Sequence, residues 1–136
     1  MAGPEPYQRL AMTQTPSGAV VRPADVADRR EIPAGTGASM QVLLGEGDGT
    51  PNFAMRRFRF EEGGGMPYHT NTVEHEQYVL AGRARIRIAD EVHEVGPGDV
   101  LYIPARVPHA YQVTDGPFEF LCLVPNGPDR IEILEE

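Results

Sequence analysis

Glycine and proline recur at short intervals along this chain and divide it into short runs of residues. The 136 residues include 15 glycines and 13 prolines, and runs bounded by these residues are typical of strands joined by turns. Most runs alternate apolar with polar side chains, as half-buried antiparallel strands do. Eight such strands predict an all-β double-sheet jelly roll or barrel. The predicted strands are residues 40–44, 53–60, 77–82, 84–89, 91–95, 100–104, 109–113 and 118–124.

The segments between these runs carry turn residues. They are residues 45–52, 61–67, 89–90, 96–99 and 114–117. Only residues 25–31 offer a short helical turn, for which Asp25 is the expected cap. Residues 1–19 are rich in Pro, Gly, Thr and Gln without a clear period, which predicts an irregular N-terminal arm. We expect a single domain over residues 20–136.

Composition excludes several classes of function. The 12 basic residues, all arginine, face 20 acidic ones, for a net charge of −8, which argues against nucleic-acid binding. Without lysine, neither Schiff-base catalysis nor a P-loop lysine is possible. Cys122 is the only cysteine, so the chain forms no internal disulfide, and we expect a cytoplasmic protein. No apolar run is long enough to span a bilayer, and the N-terminus does not resemble a signal peptide.

Three of the four histidines lie in two short segments, residues 69–75 and 103–109. Neutral imidazole is a common ligand of transition metals. Residues two apart in a strand share a face, so each histidine shares its face with one other polar residue: His69 with Asn71, His75 with Gln77, and His109 with Tyr111. If these faces line a barrel interior, the three imidazoles converge there and leave coordination positions open, as in catalytic metal sites.

At these residues the sequence resembles the cupin superfamily. Residues 63–82 look like its first motif, with Gly63, His69, Asn71, His75 and Gly82 at the motif positions, and residues 98–113 look like the second, with Gly98, Pro104 and His109 in register. Residues 47–65 also resemble small single-domain bacterial cupins in which the ligand glutamate is replaced by histidine. The resemblance implies a double-stranded β-helix and a metal site of His69, His75 and His109.

The chain departs from the cupin pattern at the second ligand position, which is usually histidine and is Asn71 here. An amide oxygen is a poor ligand for these metals, so we expect Asn71 beside the metal or bound weakly through its oxygen. The third position holds His75 where glutamate is common. The adjacent Glu76 should point away from the cavity because neighbouring strand residues face opposite ways. Arg106 stands where the second motif usually has glycine.

Most of these residues also have a purely structural interpretation. A single histidine is more often a turn or strand residue than a ligand, but the joint spacing favours the metal site, and a site that has lost its metal affinity is the alternative. Tyr111 and Gln77 are candidate substrate contacts, and Phe53 is a candidate wall residue for which packing is favoured.

Other residues are assigned to structure. Cys122 is predicted to be a small buried core residue. Arg57 and Arg59 are predicted to lie on a solvated or interface face, with a substrate-carboxylate clamp as the minor alternative. His93 is predicted to be exposed.

The resemblance implies a metal-dependent enzyme, with a dioxygenase as the leading hypothesis. The cofactor would be one divalent Fe, Mn, Cu, Ni or Zn ion per chain, with a small organic substrate such as an enol, diketone or phenol. Asn71 would orient a bound water or substrate, and Tyr111 or Gln77 would hydrogen-bond the substrate. The alternatives are a metal-dependent isomerase or lyase and a non-catalytic metal- or ligand-binding cupin. We also expect a homodimer, and no membrane or nucleic-acid partner.

Overall fold

The structure, a computed structural model, describes residues 16–134, in which the regular elements are eight strands and two short 3₁₀ turns. Of the predicted N-terminal arm, residues 1–15 lie outside the described part of the chain, as do residues 135–136. Within the described part, no helix is long and apolar enough to cross a membrane. The strands are β1 (Arg30–Glu31), β2 (Thr36–Leu44), β3 (Phe53–Asn71), β4 (His75–Ile88), β5 (Glu91–Val95), β6 (Val100–Ile103), β7 (His109–Pro125) and β8 (Ile131–Ile133).

The strands pair antiparallel in the order β1-β2-β3-β7-β4-β5, while β6 pairs with β4 and β8 with β3. Each of the long strands β3, β4 and β7 contributes one half to each of the two layers of the jelly roll. The first half of β7 pairs with the second halves of β3 and β4, and its second half pairs with their first halves. This sharing of long strands produces the jelly-roll barrel that the sequence predicts.

The long strands explain where the predicted boundaries were wrong. Residues 61–67 and 114–117 are not turns but the middle parts of β3 and β7. Their glycines and their two prolines, Pro67 and Pro117, lie where the β3–β7 register shifts, between Phe60 and Gly65 and again between Met66 and His69. Likewise 77–82 and 84–89 belong to one strand, β4. Gly82 sits in β4 at φ +77°, where an added Cβ would collide with the Pro117 carbonyl oxygen.

The N-terminal helical turn was also predicted imperfectly. A 3₁₀ turn covers only Ala24–Val26, and Pro23 rather than Asp25 occupies its cap position. The chain is extended from Ala27 onward, and Gln41 Nε2 of β2 donates a hydrogen bond to the Ala27 carbonyl oxygen at 2.9 Å. Neither β1 nor β8 was predicted, and both are too short to show a period of their own.

Aromatic residues fill the centre of the barrel. Phe60, Phe118 and Phe120 are at most 1% exposed, with ring centroids 5.4 to 6.2 Å apart. Each such ring contributes about 1.5–3 kcal/mol on burial. Strands β3, β4 and β7 also carry buried polar residues that line a cavity beside this core, namely His69, Asn71, His75, Gln77 and His109.

Candidate metal centre

His69 and His109 are direct cross-strand partners on β3 and β7. Side chains at such positions project from the same face of the sheet with their Cβ atoms about 4.5–5.5 Å apart. Their ring centroids are 4.2 Å apart, and both side chains are buried, His109 being 2% exposed. The register of the two strands therefore brings together histidines that are 40 positions apart in the sequence.

His75 is the first residue of β4 and pairs with Ile103 of β6. Its ring centroid lies 5.6 Å from that of His109, so the third imidazole reaches the same end of the barrel from a different strand. Its Nδ1 atom lies 3.5 Å from the Cys122 sulfur. The neighbouring Glu76 does not line the cavity, in agreement with the alternation of a strand.

Backbone carbonyls orient two of the imidazoles. His69 Nδ1 lies 2.7 Å from the Pro67 carbonyl oxygen, and His109 Nδ1 lies 3.0 Å from that of Val107. Because a carbonyl oxygen only accepts, a neutral ring must donate its Nδ1 hydrogen there, which leaves the Nε2 lone pair available. This is the arrangement by which outer hydrogen bonds prepare a histidine for a metal.

Asp129 orients Asn71, the residue that stands where the first cupin motif usually has its second histidine. Asn71 is 5% exposed, and its Nδ2 donates to Asp129 Oδ2 at 3.0 Å. A carboxylate only accepts, so the amide nitrogen faces Asp129 and Oδ1 faces the opposite way. Oδ1 is buried and makes no hydrogen bond of good geometry among the described residues, and it lies close enough to the His69 ring to oppose the lowering of the pKa of that imidazole by burial. A buried oxygen beside three imidazoles is suited to accept from a bound water or to face a cation.

Burial lowers the pKa of all three imidazoles, because desolvation penalises the protonated form. The pKa of His75 falls to about 3, with the neighbouring His109 as a second cause, and that of His109 falls to about 4, with His69 as a second cause. The pKa of His69 is also lowered. All three rings are therefore neutral at pH 7, the form that binds metals.

The residues present fit a transition metal by their chemistry more closely than by their spacing. Among residues 16–134, no three His, Cys, Asp or Glu side chains are grouped tightly enough to hold a metal ion as they stand. The strand register fixes the positions of the three backbones, while the side-chain torsions can still adjust. The donor set would be three neutral imidazoles, with the Asn71 oxygen beside them.

A cavity of about 260 Å³ opens onto the histidines. Its wall is mainly apolar and aromatic, as in most small-molecule sites. Gln77 and Tyr111 line it, and Gln77 Nε2 donates to the Tyr111 hydroxyl at 2.7 Å. Burial raises the pKa of Tyr111, so its hydroxyl stays protonated. Phe53, a predicted wall or packing residue, is 53% exposed and lies outside both the cavity and the core.

The structure thus brings His69, His75, His109, Asn71, Gln77 and Tyr111 to one cavity. The same cavity is also lined by residues that were not predicted from the sequence as site residues. Cys122 is buried as predicted, but its sulfur faces Gln77 and His75 in the cavity wall rather than apolar core alone. Asp129 was missed because its partner is 58 positions away, and no local pattern marks such a contact.

Arg56 was also not predicted as a cavity residue, although the strand pattern of the sequence could have identified it. Arg57 and Arg59 lie on the outer face of the sheet and pair with Glu119 at 2.8 and 3.2 Å, so the carboxylate-clamp alternative does not apply to them. Arg56 has the opposite parity, shares its face with Phe58, and lines the cavity. Counting two residues back from that phenylalanine identifies it.

Comparison with known families agrees with this architecture. The model of the cupin domain family matches residues 56–124, just over half of the chain. The chain belongs to the cupin family. The match includes all three candidate histidine ligands and most of strands β3 and β7.

Several relatives of this cupin are known. Oxalate decarboxylase OxdC of Bacillus subtilis is 29% identical over 96 residues, which are 67% of this chain but only 25% of the decarboxylase. The polyketide cyclase RemF of Streptomyces resistomycificus superposes with a TM-score of 0.73 at 28% identity, covering 84% of this chain and 85% of the cyclase. A cupin 2 domain-containing protein of Halorhodospira halophila is 31% identical with a TM-score of 0.67, covering 73% and 71%.

The buried imidazoles predict that the metal-free cupin loses stability in mild acid. Their folded-state pKa values lie below the ordinary value of 6.5, so below pH 6.5 the unfolded chain binds more protons. Each imidazole then lowers the free energy of unfolding by up to about 1.4 kcal/mol per pH unit until its folded pKa is reached. Urea unfolding of metal-free protein between pH 8 and 5 measures this slope, which should be shallower in His109→Gln.

Comparing wild type with His109→Gln isolates the contribution of His109 to the pH dependence of stability. Hydrogen bonding to Glu74 raises the pKa of Glu76, so Glu76 works in the opposite direction, but equally in both proteins. His93→Gln is the matched control because it removes an imidazole that is 49% exposed and lies outside the cavity. An identical slope in wild type and His109→Gln would contradict the assignment of His109 as a buried neutral ring.

Proposed function

We propose that this cupin is a metal-dependent enzyme acting on a small organic molecule, with His69, His75 and His109 as metal ligands. One observation carries the proposal: three buried neutral imidazoles and the Asn71 side chain line one mainly apolar cavity. An apolar pocket with a few convergent polar groups is the usual form of a small-molecule site.

The polar residues of the cavity have distinct roles in this proposal. The Asn71 oxygen accepts a hydrogen bond from a bound water or substrate, or completes the ligand set. The Tyr111 hydroxyl accepts from Gln77, so its own hydrogen is available to donate to a substrate oxygen. Because burial raises its pKa, Tyr111 acts as a hydrogen-bond donor and not as a base. The aromatic wall excludes water from the reacting atoms.

The reaction proposed first is non-oxidative. A divalent ion bound to the imidazoles would supply Lewis acidity to a substrate carbonyl or enol oxygen. The relatives that carry an activity in their names, a polyketide cyclase and an oxalate decarboxylase, support ring closure or decarboxylation. The dioxygenase expected from the sequence is the second candidate. It is favoured by the neutral donor set, which leaves positions for both a substrate and dioxygen.

Turnover with and without oxygen separates these functions. Protein reconstituted with each candidate metal is offered planar β-keto acids, 1,3-diketones and phenols, in air and under argon, while an oxygen electrode and chromatography follow the reaction. We expect the same product at the same rate under argon. Oxygen consumption equal to product formation would favour the dioxygenase instead. Tight metal binding without turnover of any substrate would contradict the enzyme proposal and favour a binding module.

A further inference from the structure

Arg56 is a cavity-facing cation whose donors are largely unused. It lies on β3 on the face of Phe58 and Phe60 and lines the histidine cavity. Its Nε atom is buried without a hydrogen-bond partner among the described residues. The guanidinium carbon lies 5.2 Å from the Phe58 ring centroid, and Nη2 lies 3.9 Å from the Cys122 sulfur, which is a weak contact. Within residues 16–134, Arg56 forms no ion pair with a carboxylate.

The adjacent Arg57 shows what the fold does with an arginine that serves only structure. It lies on the outer face of the sheet and pairs with Glu119 at 2.8 Å. A half-buried guanidinium without an anion is unfavourable, because desolvation is not offset by pairing. A fork of N–H donors that faces a cavity is suited to an anion from outside, above all a carboxylate, which it can bind through two hydrogen bonds.

The wall beside Arg56 selects the shape of that anion. The rings of Phe58 and Phe120 are parallel within 5° with centroids 5.0 Å apart, and Phe120 stacks on Tyr111 within 10° at 5.4 Å. Parallel rings with centroids this close lie face over face, so the three rings form a stacked column. A flat conjugated molecule can extend such a column by stacking on the ring at its end, whereas a puckered saturated one cannot.

We propose that this cavity binds a planar conjugated carboxylate, with its carboxylate on Arg56 and its unsaturated body against Phe58, Phe120 and Tyr111. This inference deepens the proposed function and rests on it in taking the cavity as the substrate site. Arg56 and the three imidazoles line the same cavity, so a molecule held by Arg56 lies in the cavity that the histidines share. Arg56 is then a substrate-binding residue that selects charge, and the aromatic wall selects planarity.

Three probes of similar size test charge and shape separately. They are 2-naphthoate, the neutral 2-naphthamide, and the saturated decalin-2-carboxylate, each titrated calorimetrically into metal-free and metal-loaded protein. In the metal-free protein, where Arg56 is the partner of the carboxylate, we expect 2-naphthoate to bind at least ~10-fold more tightly than 2-naphthamide, because hydrogen bonds to a charged group are the stronger ones. It should also bind more tightly than decalin-2-carboxylate, because only the flat molecule stacks on the aromatic rings. Arg56→Gln should remove the preference over 2-naphthamide, whose own affinity should stay within about 2-fold. Arg85→Gln, which removes a charge at a 50% exposed side chain, should change nothing.

The outcomes distinguish this inference from the proposed function. Equal affinity of wild type for 2-naphthoate and 2-naphthamide overturns the inference even if metal binds. Arg56-dependent binding of 2-naphthoate by a protein that takes up no metal supports the inference and contradicts the proposed function. If Arg56→Gln does not fold, Arg56→Lys replaces it. The lysine keeps the charge but loses the fork, so a clearly weaker affinity for 2-naphthoate supports the paired contact and an unchanged affinity overturns it.

Discussion

Replacing His69 and His109 together with alanine is expected to abolish metal binding by this cupin. The two rings are cross-strand partners with centroids 4.2 Å apart, and each presents a free Nε2 because its Nδ1 is engaged by a backbone carbonyl. Loss of an outer hydrogen-bond partner weakens a metal site about 10–100-fold, so loss of two ligands should exceed ~100-fold. Equilibrium dialysis followed by elemental analysis should find close to one first-row metal ion per wild-type chain and almost none in the variant.

The fourth histidine supplies the control for this experiment. His93 lies on β5, is 49% exposed, and contacts Glu91 at 2.9 Å, so His93→Ala removes an imidazole without affecting the cavity. Circular dichroism should show that all variants keep the β-rich spectrum, since an unfolded double variant would lose metal for a trivial reason. A folded double variant with undiminished metal content would rule out these histidines as ligands.

The local features of the site were predictable from sequence because they depend on strand parity. The two-residue period places Asn71, Gln77 and Tyr111 on the faces of their neighbouring histidines, and all three line the cavity. The same period identifies Arg56 once Phe58 is known to face inward. The glycines of residues 61–67 were misleading. They were interpreted as marking a turn, but they lie at the register shift in the middle of β3, which allows this one strand to run through both layers.

Contacts between distant segments could not be predicted from a single sequence. Asp129 follows the last long strand in a segment without alternation, and its contact with Asn71 depends on how the chain returns across the end of β3. Phe53 illustrates the converse. An aromatic residue at the start of an alternating run was assigned to the interior, but it has the parity of the outward-facing Arg57 and Arg59 in β3 and is 53% exposed.

The contact between Asp129 and Asn71 leads to the second large expected effect, a ~10–100-fold loss of metal affinity in Asp129→Ala. Asp129 accepts from Asn71 Nδ2 at 3.0 Å and from the Thr72 amide at 2.9 Å. Without these acceptors the amide of Asn71 is free to turn its nitrogen toward the imidazoles, where a donor opposes a cation. Asp129 therefore acts as a positioning residue, and competition with a chromophoric chelator measures the effect.

A double-mutant cycle separates this positioning from simple loss of a negative charge near the site. If Asp129 acts through Asn71, then Asn71→Ala should weaken metal binding, and adding Asp129→Ala to it should cost little more. If Asp129 acts through its charge alone, the two losses should add, because the carboxylate would attract the cation whichever side chain stands at position 71. Asp129→Asn removes the charge but keeps an oxygen that can accept from Asn71, so near wild-type affinity in this variant supports positioning. A loss as large as that of Asp129→Ala would instead assign the effect to charge.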